Sequence, residues 1–269
     1  MYAITGVTGH VGGATIRALR EKGAPVRSVS RREADLADTA ALTKAFDGCD
    51  GAFVLLPTVP PFTGAAHREI AGSIVAAVRD SGLPHTVLLS SWGADLAGGT
   101  GPIRWLHELE NGLRDTGTTL TAIRSPHFQE KVETVLEAAT GVGVYPVFGA
   151  SADVPIPMVA TRDIGAVAAR ALTGPPASSE IVVLEAPEYT ERQVAEALGE
   201  RLGKQLQVVT IPREGWLGAL TAAAVPPVLA AELVALHEAA EDGLLQPRGD
   251  RTVRCATEIT ETLRTVLGA

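Results

Sequence analysis

The chain has 269 residues, 46% of them hydrophobic and 20% charged, a composition that folds around a substantial core as one large domain or a domain with a smaller lobe. With 31 acidic against 23 basic residues the formal net charge is −8, so a phosphate backbone meets no general basic field and nucleic acid is disfavoured as a main ligand. The two cysteines, Cys49 and Cys255, make neither a disulfide framework nor a metal cluster, the start MYAITGVTG has no secretory pattern, and no run of about 18 apolar residues occurs, so a cytoplasmic protein without a membrane partner or a metal is expected.

Short apolar runs alternate with helix-period stretches through the first half, as in a parallel sheet with crossover helices. Strands are predicted at 2–5, 26–30, 51–56, 86–90, 120–124 and 180–185, and helices at 12–22, 40–46, 67–81, 102–116 and 162–172. This is a doubly wound α/β Rossmann sheet. Gly and Pro cluster in GVGVYPVFGASADVPIP (141–157), an extended excursion of the kind that often supplies substrate contacts. After about Ala186, TERQVAEALGERLG, VVTIP and an apolar, Glu-containing run at 228–241 predict a mostly helical lobe. The expected division is a cofactor-binding domain over 1–155 and a substrate lobe over 156–269, with 156–186 returning to the sheet.

The first strand runs into Gly6-x-x-Gly9-x-x-Gly12 and then a helix, a spacing variant of the dinucleotide fingerprint. Glycines permit the tight turn and close approach of backbone to a pyrophosphate, which the first-turn amides and the helix dipole then attract. Thr8 and His10 sit inside this loop as further donors. The second strand ends Val29-Ser30-Arg31-Arg32, with a guanidinium where an NAD site carries a carboxylate, which favours the 2′-phosphate of NADP(H). Glu33 and Asp35 lie close by, and a solvated turn is the other reading of the arginine pair.

Taken in order, ITGVTGHVG, VRSVSRR, ADLADTAALTKAFDGCDGAFVLLP, HTVLLSSWGAD, LHELENGLRDTGTTLTAIRSPHF, PIPMVATRDIGAVAARAL and YTERQVAEALGERLGKQLQVVTIPREGW give the sequence a nearly end-to-end likeness. It resembles the NmrA-like branch of the atypical short-chain dehydrogenase/reductases, which holds quinone reductases, triphenylmethane reductase, plant phenylpropanoid reductases and non-catalytic redox sensors. The resemblance implies pyrophosphate contacts at Gly6, Thr8, Gly9, His10 and Val11, and a 2′-phosphate at Arg31 and Arg32. It places Asp35 and Leu36 by the adenine, Leu55, Leu56 and Pro57 beside the nicotinamide ribose, and Ser90 with the Ser91-Trp92 turn next to the nicotinamide. His127 and Phe128 would line the substrate pocket. Core packing of Leu55 and Leu56, and capping of the next helix by Asp35, are the plainer alternatives.

Two departures from the family follow from the residues. Between Arg32 and Asp35 there is no room for the dozen or more residues of a parallel crossover, so the third strand is expected to be lost. The tyrosines are Tyr2, Tyr145 and Tyr189, none of them within 102–116, so the Tyr-x-x-x-Lys proton donor of typical short-chain reductases is missing. His107, three residues before Glu110, is the general acid suggested by its ordinary pKa, with a packed histidine as the alternative; His127 is read in the same way. Asp163 reads as a helix-start device, and Glu133 and Glu137 as carboxylates sharing a helix face.

Hydride transfer depends mainly on orientation, and a quinone or aromatic, polyketide-like ketone delocalises the resulting negative charge. Water, Ser91 or a hydroxyl of the substrate could then provide the proton. The expected function is an NADPH-dependent reductase of such small molecules; an NADP-binding redox sensor and a non-redox tailoring enzyme are the alternatives.

Overall fold

Runs such as Ala52-Phe53-Val54 and Thr86-Val87-Leu88 are buried on both faces, as central parallel strands must be. The computed structural model describes residues 1–268. The first part alternates strictly: β1 (Tyr2–Thr5), α1 (His10–Glu21), β2 (Val26–Val29), α2 (Thr39–Phe46), β3 (Gly51–Val54), α3 (Gly64–Asp80), β4 (His85–Ser91), α4 (Ile103–Arg114) and β5 (Thr119–Ser125). Then come β6 (His127–Phe128), a 3-10 turn (Gln129–Val135), α5 (Leu136–Gly141), β7 (Val144–Phe148), β8 (Ile156–Val159), α6 (Thr161–Thr173) and β9 (Glu180–Glu185). The remainder is β10 (Glu188–Tyr189), α7 (Glu191–Leu202), β11 (Gln207–Ile211), α8 (Trp216–Ala222), α9 (Pro227–Glu241), β12 (Arg251–Arg254) and α10 (Ile259–Val266).

The main sheet has the order β12-β9-β5-β4-β3-β1-β2, and its pairings are all parallel. β2 is its edge, and the chain passes from Ser30 through a short turn into α2, so the third strand is lost as the spacing requires. Asp38, rather than Asp35, caps α2: its carboxylate accepts from the Ala41 amide at 2.9 Å, while Asp35 closes a local turn on the Ala37 amide. One face of the sheet packs Leu42, Phe46, Ile74, Val78, Leu109 and Leu113 from α2, α3 and α4. The other packs Val11, Ile16 and Leu19 of α1 against Ile164, Val167 and Leu172 of α6. The two helices approach so closely at Gly165 that a Cβ there would lie 2.7 Å from the Ala14 carbonyl carbon.

A third core, with Tyr145, Val147, Met158, Val194, Leu198 and Leu263, sits among β7, β8, α7 and α10. α7 is well specified locally: Thr190 and Gln193 form a reciprocal capping box, and Gly203 ends it at φ 67°. The C-terminal part is not wholly helical. β12 pairs with β9 from Arg251↔Val182 to Arg254↔Glu185, which carries the chain back to the main sheet.

Candidate cofactor and substrate site

The glycine loop leaves β1 at Thr5, whose buried hydroxyl donates to the Phe53 carbonyl at 3.1 Å. Gly6 takes φ 63° directly beneath Leu55, and the Gly9 amide returns to the Gly6 carbonyl at 3.0 Å. A Cβ on Gly12 would lie 2.8 Å from the Thr5 carbonyl oxygen and closer still to that of Gly6, so only glycine lets α1 start this near the strand. Gly9 caps α1 without a side-chain bond, and the first turn holds no acidic residue. The amides of His10, Val11 and Gly12 therefore have no intrahelical acceptor. Thr8, Gly9 and His10 are exposed around them. The His10 imidazole is already engaged: its Nε2 is 3.0 Å from a Glu133 carboxylate oxygen. Glu133 thus reaches the loop from the 3-10 turn, instead of forming a helix-face pair with Glu137.

At the end of β2, Arg31 and Arg32 are exposed. Glu33 turns back from them and accepts from the Ser30 amide at 2.6 Å and from the Ser30 hydroxyl. Those hydrogen bonds hold its carboxyl below its ordinary pKa. Leu36 and Leu56 pack on the α2–α3 side of the sheet and Leu55 on the α1 side, each half-buried, with half-buried Pro57 following.

Strand alternation separates the two serines of β4. Ser90 is buried and donates to Glu110 at 2.5 Å; the same carboxylate takes Arg124 Nε at 3.0 Å and Nη2 at 2.7 Å. Ser90 is therefore part of a buried polar brace between β4, α4 and β5. Ser91 is half-buried in register with Ser125, whose carbonyl accepts the Trp92 amide at 3.0 Å. His107, the general acid expected from the sequence, has partners on both ring nitrogens. Its Nδ1 lies 2.9 Å from the Ala94 carbonyl, which ties α4 to the segment after β4, and its Nε2 lies 3.0 Å from the Asn111 amide nitrogen one turn further along α4. Asp163 lies in the first turn of α6, but its carboxylate holds the Thr257 amide at 3.0 Å and hydroxyl at 2.7 Å. The α6 start is served instead by Glu130, which accepts the Thr161 amide at 2.9 Å.

His127 and half-buried Phe128 lie just past β5, on β6, paired with Met158 and Val159 of β8. This is the region beyond the carboxyl ends of the strands, where open α/β sheets bind ligands. α9 closes over it, fixed by the Arg104–Glu232 ion pair and by Glu241 accepting the Ala150 amide at 2.8 Å. From α9, His237 stacks on Phe148 at 5.0 Å between ring centroids and tilts against Trp216 at 5.6 Å. Burial pushes the His237 pKa down to about 3 with help from the Lys131 charge; burial, then Lys131, then His237 push His127 well below its usual value. Lys131 and His237 escaped the sequence reading. Lys131 had a weak signal as one of only four lysines, placed four residues after His127, whereas nothing local marks His237. Two hollows lie elsewhere, one of about 280 Å³ between α6 and β12 and one of about 590 Å³ beside α7, and neither includes a glycine-loop residue.

A glycine-turned strand–helix start with free amides, on a parallel sheet whose far end is roofed by a lobe, defines a Rossmann-type dinucleotide-binding protein. The chain matches the NmrA-like family over residues 2–247 and belongs to it. It is 30% identical over 249 residues, 87% of this chain and 85% of the relative, to (4-alkanoyl-5-oxo-2,5-dihydrofuran-3-yl)methyl phosphate reductase of Streptomyces griseus. NAD(P)H azoreductase of Xenophilus azovorans is 25% identical over 246 residues, 86% of this chain and 84% of that one. Among solved structures, triphenylmethane reductase of Citrobacter sp. superimposes with TM-score 0.79 at 22% identity, covering 100% of this chain and 99% of its own. An NADPH-dependent quinone oxidoreductase of Escherichia coli, complexed with NADPH, superimposes with TM-score 0.75 at 22% identity, covering 99% and 100% respectively.

Proposed function

We propose that this protein is an NADP(H)-dependent reductase of quinoid, azo or conjugated carbonyl compounds. The observation that carries the reading is the start of α1, where free amides face the glycine loop and Gly12 lets the helix pack directly on the backbone of Thr5 and Gly6. That cradle fits a pyrophosphate, and relatives named as azo, quinone and butenolide phosphate reductases support the redox assignment. Gly6, Thr8, Gly9, His10, Val11 and Gly12 would hold the pyrophosphate, and Arg31 with Arg32 the 2′-phosphate. Asp35 and Leu36 would flank the adenine, and Leu55, Leu56 and Pro57 the nicotinamide ribose.

Bound there, a reduced nicotinamide supplies a hydride, and the acceptor takes one further proton from solvent. The chain positions the acceptor between Ser91 and Trp92 at the end of β4 and the pocket around His127 and Phe128. Ser91 is left as the hydroxyl that can pass a proton to the substrate, because α4 carries no tyrosine and His107 is engaged on both nitrogens. Electrophiles whose reduced form spreads its charge are favoured by such a site, since it offers no strong acid.

The test mixes the purified protein with NADPH and a panel of naphthoquinones, azo dyes and α,β-unsaturated lactones and follows the absorbance of the reduced nicotinamide. Turnover with one class supports the proposal. Tight NADPH binding with no oxidation across the panel replaces it with a nucleotide sensor.

A further inference from the structure

β7 and β11 form a two-stranded parallel ribbon on the lobe, separate from the main sheet. Its register runs from Gln207↔Val144 to Ile211↔Phe148, and the Gln207 amide donates to the Gly143 carbonyl at 2.8 Å. Gln207, Val209 and Ile211 therefore turn their backbone groups toward β7, while those of Val208 and Thr210 point to the opposite side. No strand among the described residues meets them there.

Bare edges are ordinarily blunted by charge or proline. Both edges of the main sheet follow that rule. Pro25 precedes β2, whose Arg27 reaches over to the Ala45 carbonyl at 2.9 Å and the Asp47 carbonyl at 2.8 Å, and β12 carries Arg251 and Arg254. β11 has no such protection: LQVVTI, 206–211, contains neither a charge nor a proline. Gln207 and Thr210 are exposed, and so is Val209, by 36%. A hollow of about 590 Å³ lies between α7 and this strand, with Leu206 and Val208 in its wall, so the space beside the edge is open.

The strand is complementary to itself. Laid antiparallel on a second copy and centred on Val209, it brings Val208 opposite Thr210 of the second copy, so the outward amides and carbonyls of the two residues satisfy one another. Val209 then faces its own equivalent, apolar against apolar, on a two-fold axis. The same register sets exposed Lys204 at one end against exposed Glu214 of the second copy at the other, opposite charges flanking an uncharged middle.

We propose that β11 is the interface of a homodimer, in which two copies join their ribbons edge to edge, antiparallel about a two-fold axis at Val209, into one continuous sheet. The joined ribbon is also the support of α9: Phe148 of β7 stacks on His237, and the Ile211 carbonyl of β11 accepts the Trp216 indole at 2.7 Å.

The experiment is sedimentation of the whole chain over a dilution series. The unaltered protein sediments as a dimer that dissociates on dilution. Thr210→Pro removes an outward amide and weakens self-association about tenfold or more. Lys204→Glu weakens it as well, and adding Glu214→Lys to that variant restores it. Residues opposite each other in an antiparallel pair lie about 4.5–5.5 Å apart, so oxidised Val209→Cys runs as a covalent dimer. Val142→Cys, at the end of the ribbon and remote from its own equivalent, does not. Cys49 and Cys255 are buried, which leaves the introduced thiol as the reactive one. Circular dichroism and NADPH binding check that each variant is folded. A monomer at every concentration, a dimer indifferent to Thr210→Pro, or a folded Val209→Cys that stays uncrosslinked overturns the proposal. An edge that serves an unrelated strand gives the first of these results.

Discussion

At the glycine loop, positive potential comes from main-chain amides at the start of α1, and the geometry is fixed by what Gly6 and Gly12 leave out. In the lobe the surface is made instead by side chains, His127 of the two-residue β6, and His237 of α9 with Phe148 and Trp216 around it. The first arrangement is local: three glycines at fixed spacing and one helix suffice. The second assembles segments more than 100 residues apart and depends on the lobe folding over the sheet, through Arg104–Glu232 and Glu241. Backbone recognition of this kind tolerates many side chains around it, whereas a surface made of side chains changes with each residue that lines it.

The comparison is broken most severely by filling the loop. Gly12→Val should weaken NADPH at least about a hundredfold, roughly 2.7 kcal/mol by calorimetry, while the lobe packing around Trp216, read by tryptophan fluorescence, stays unchanged. A change in both in a chain that circular dichroism finds folded would show the two regions to be one coupled site. Next is the brace between them. Arg124→Met leaves Glu110 buried without its partner and should cost about 3–5 kcal/mol in denaturant unfolding, with the preference for NADPH over NADH unchanged in the folded fraction. Arg31→Ala sharpens the loop alone: about tenfold weaker NADPH and little change for NADH. Equal losses for the two nucleotides would remove Arg31 from the 2′-phosphate. Smallest is His107→Asn, which should lower stability by about 1 kcal/mol and leave kcat within about twofold; a large fall in kcat would restore His107 to the chemistry.

The legible parts of the fold were those with a short-range cause. Strands 2–5 and 180–185 match β1 and β9 in full, and the predicted helices differ from α1, α2, α3, α4 and α6 only at their ends. The lost strand was readable because chain length alone forbids a crossover between Arg32 and Asp35. β12 was not, since RTVR is four residues with no apolar run and pairs only because β9 offers an edge. Ser90 and Ser91 are chemically alike in sequence, and only their opposite faces on β4 decide that one is buried on Glu110 and the other half-buried without that partner. The partners of His107 were not legible for a related reason: its bond to Ala94 depends on where that residue falls after the sheet is built. Lys131 and His237 are 106 positions apart, and no periodicity connects them.

The account stands on a nicotinamide dinucleotide seated at the start of α1. Calorimetric titration of the unaltered chain with NADPH should give one-to-one binding, tighter than NADH, and the heat should vanish in Gly12→Val. No heat with either nucleotide, or the same heat in the folded variant, would contradict it.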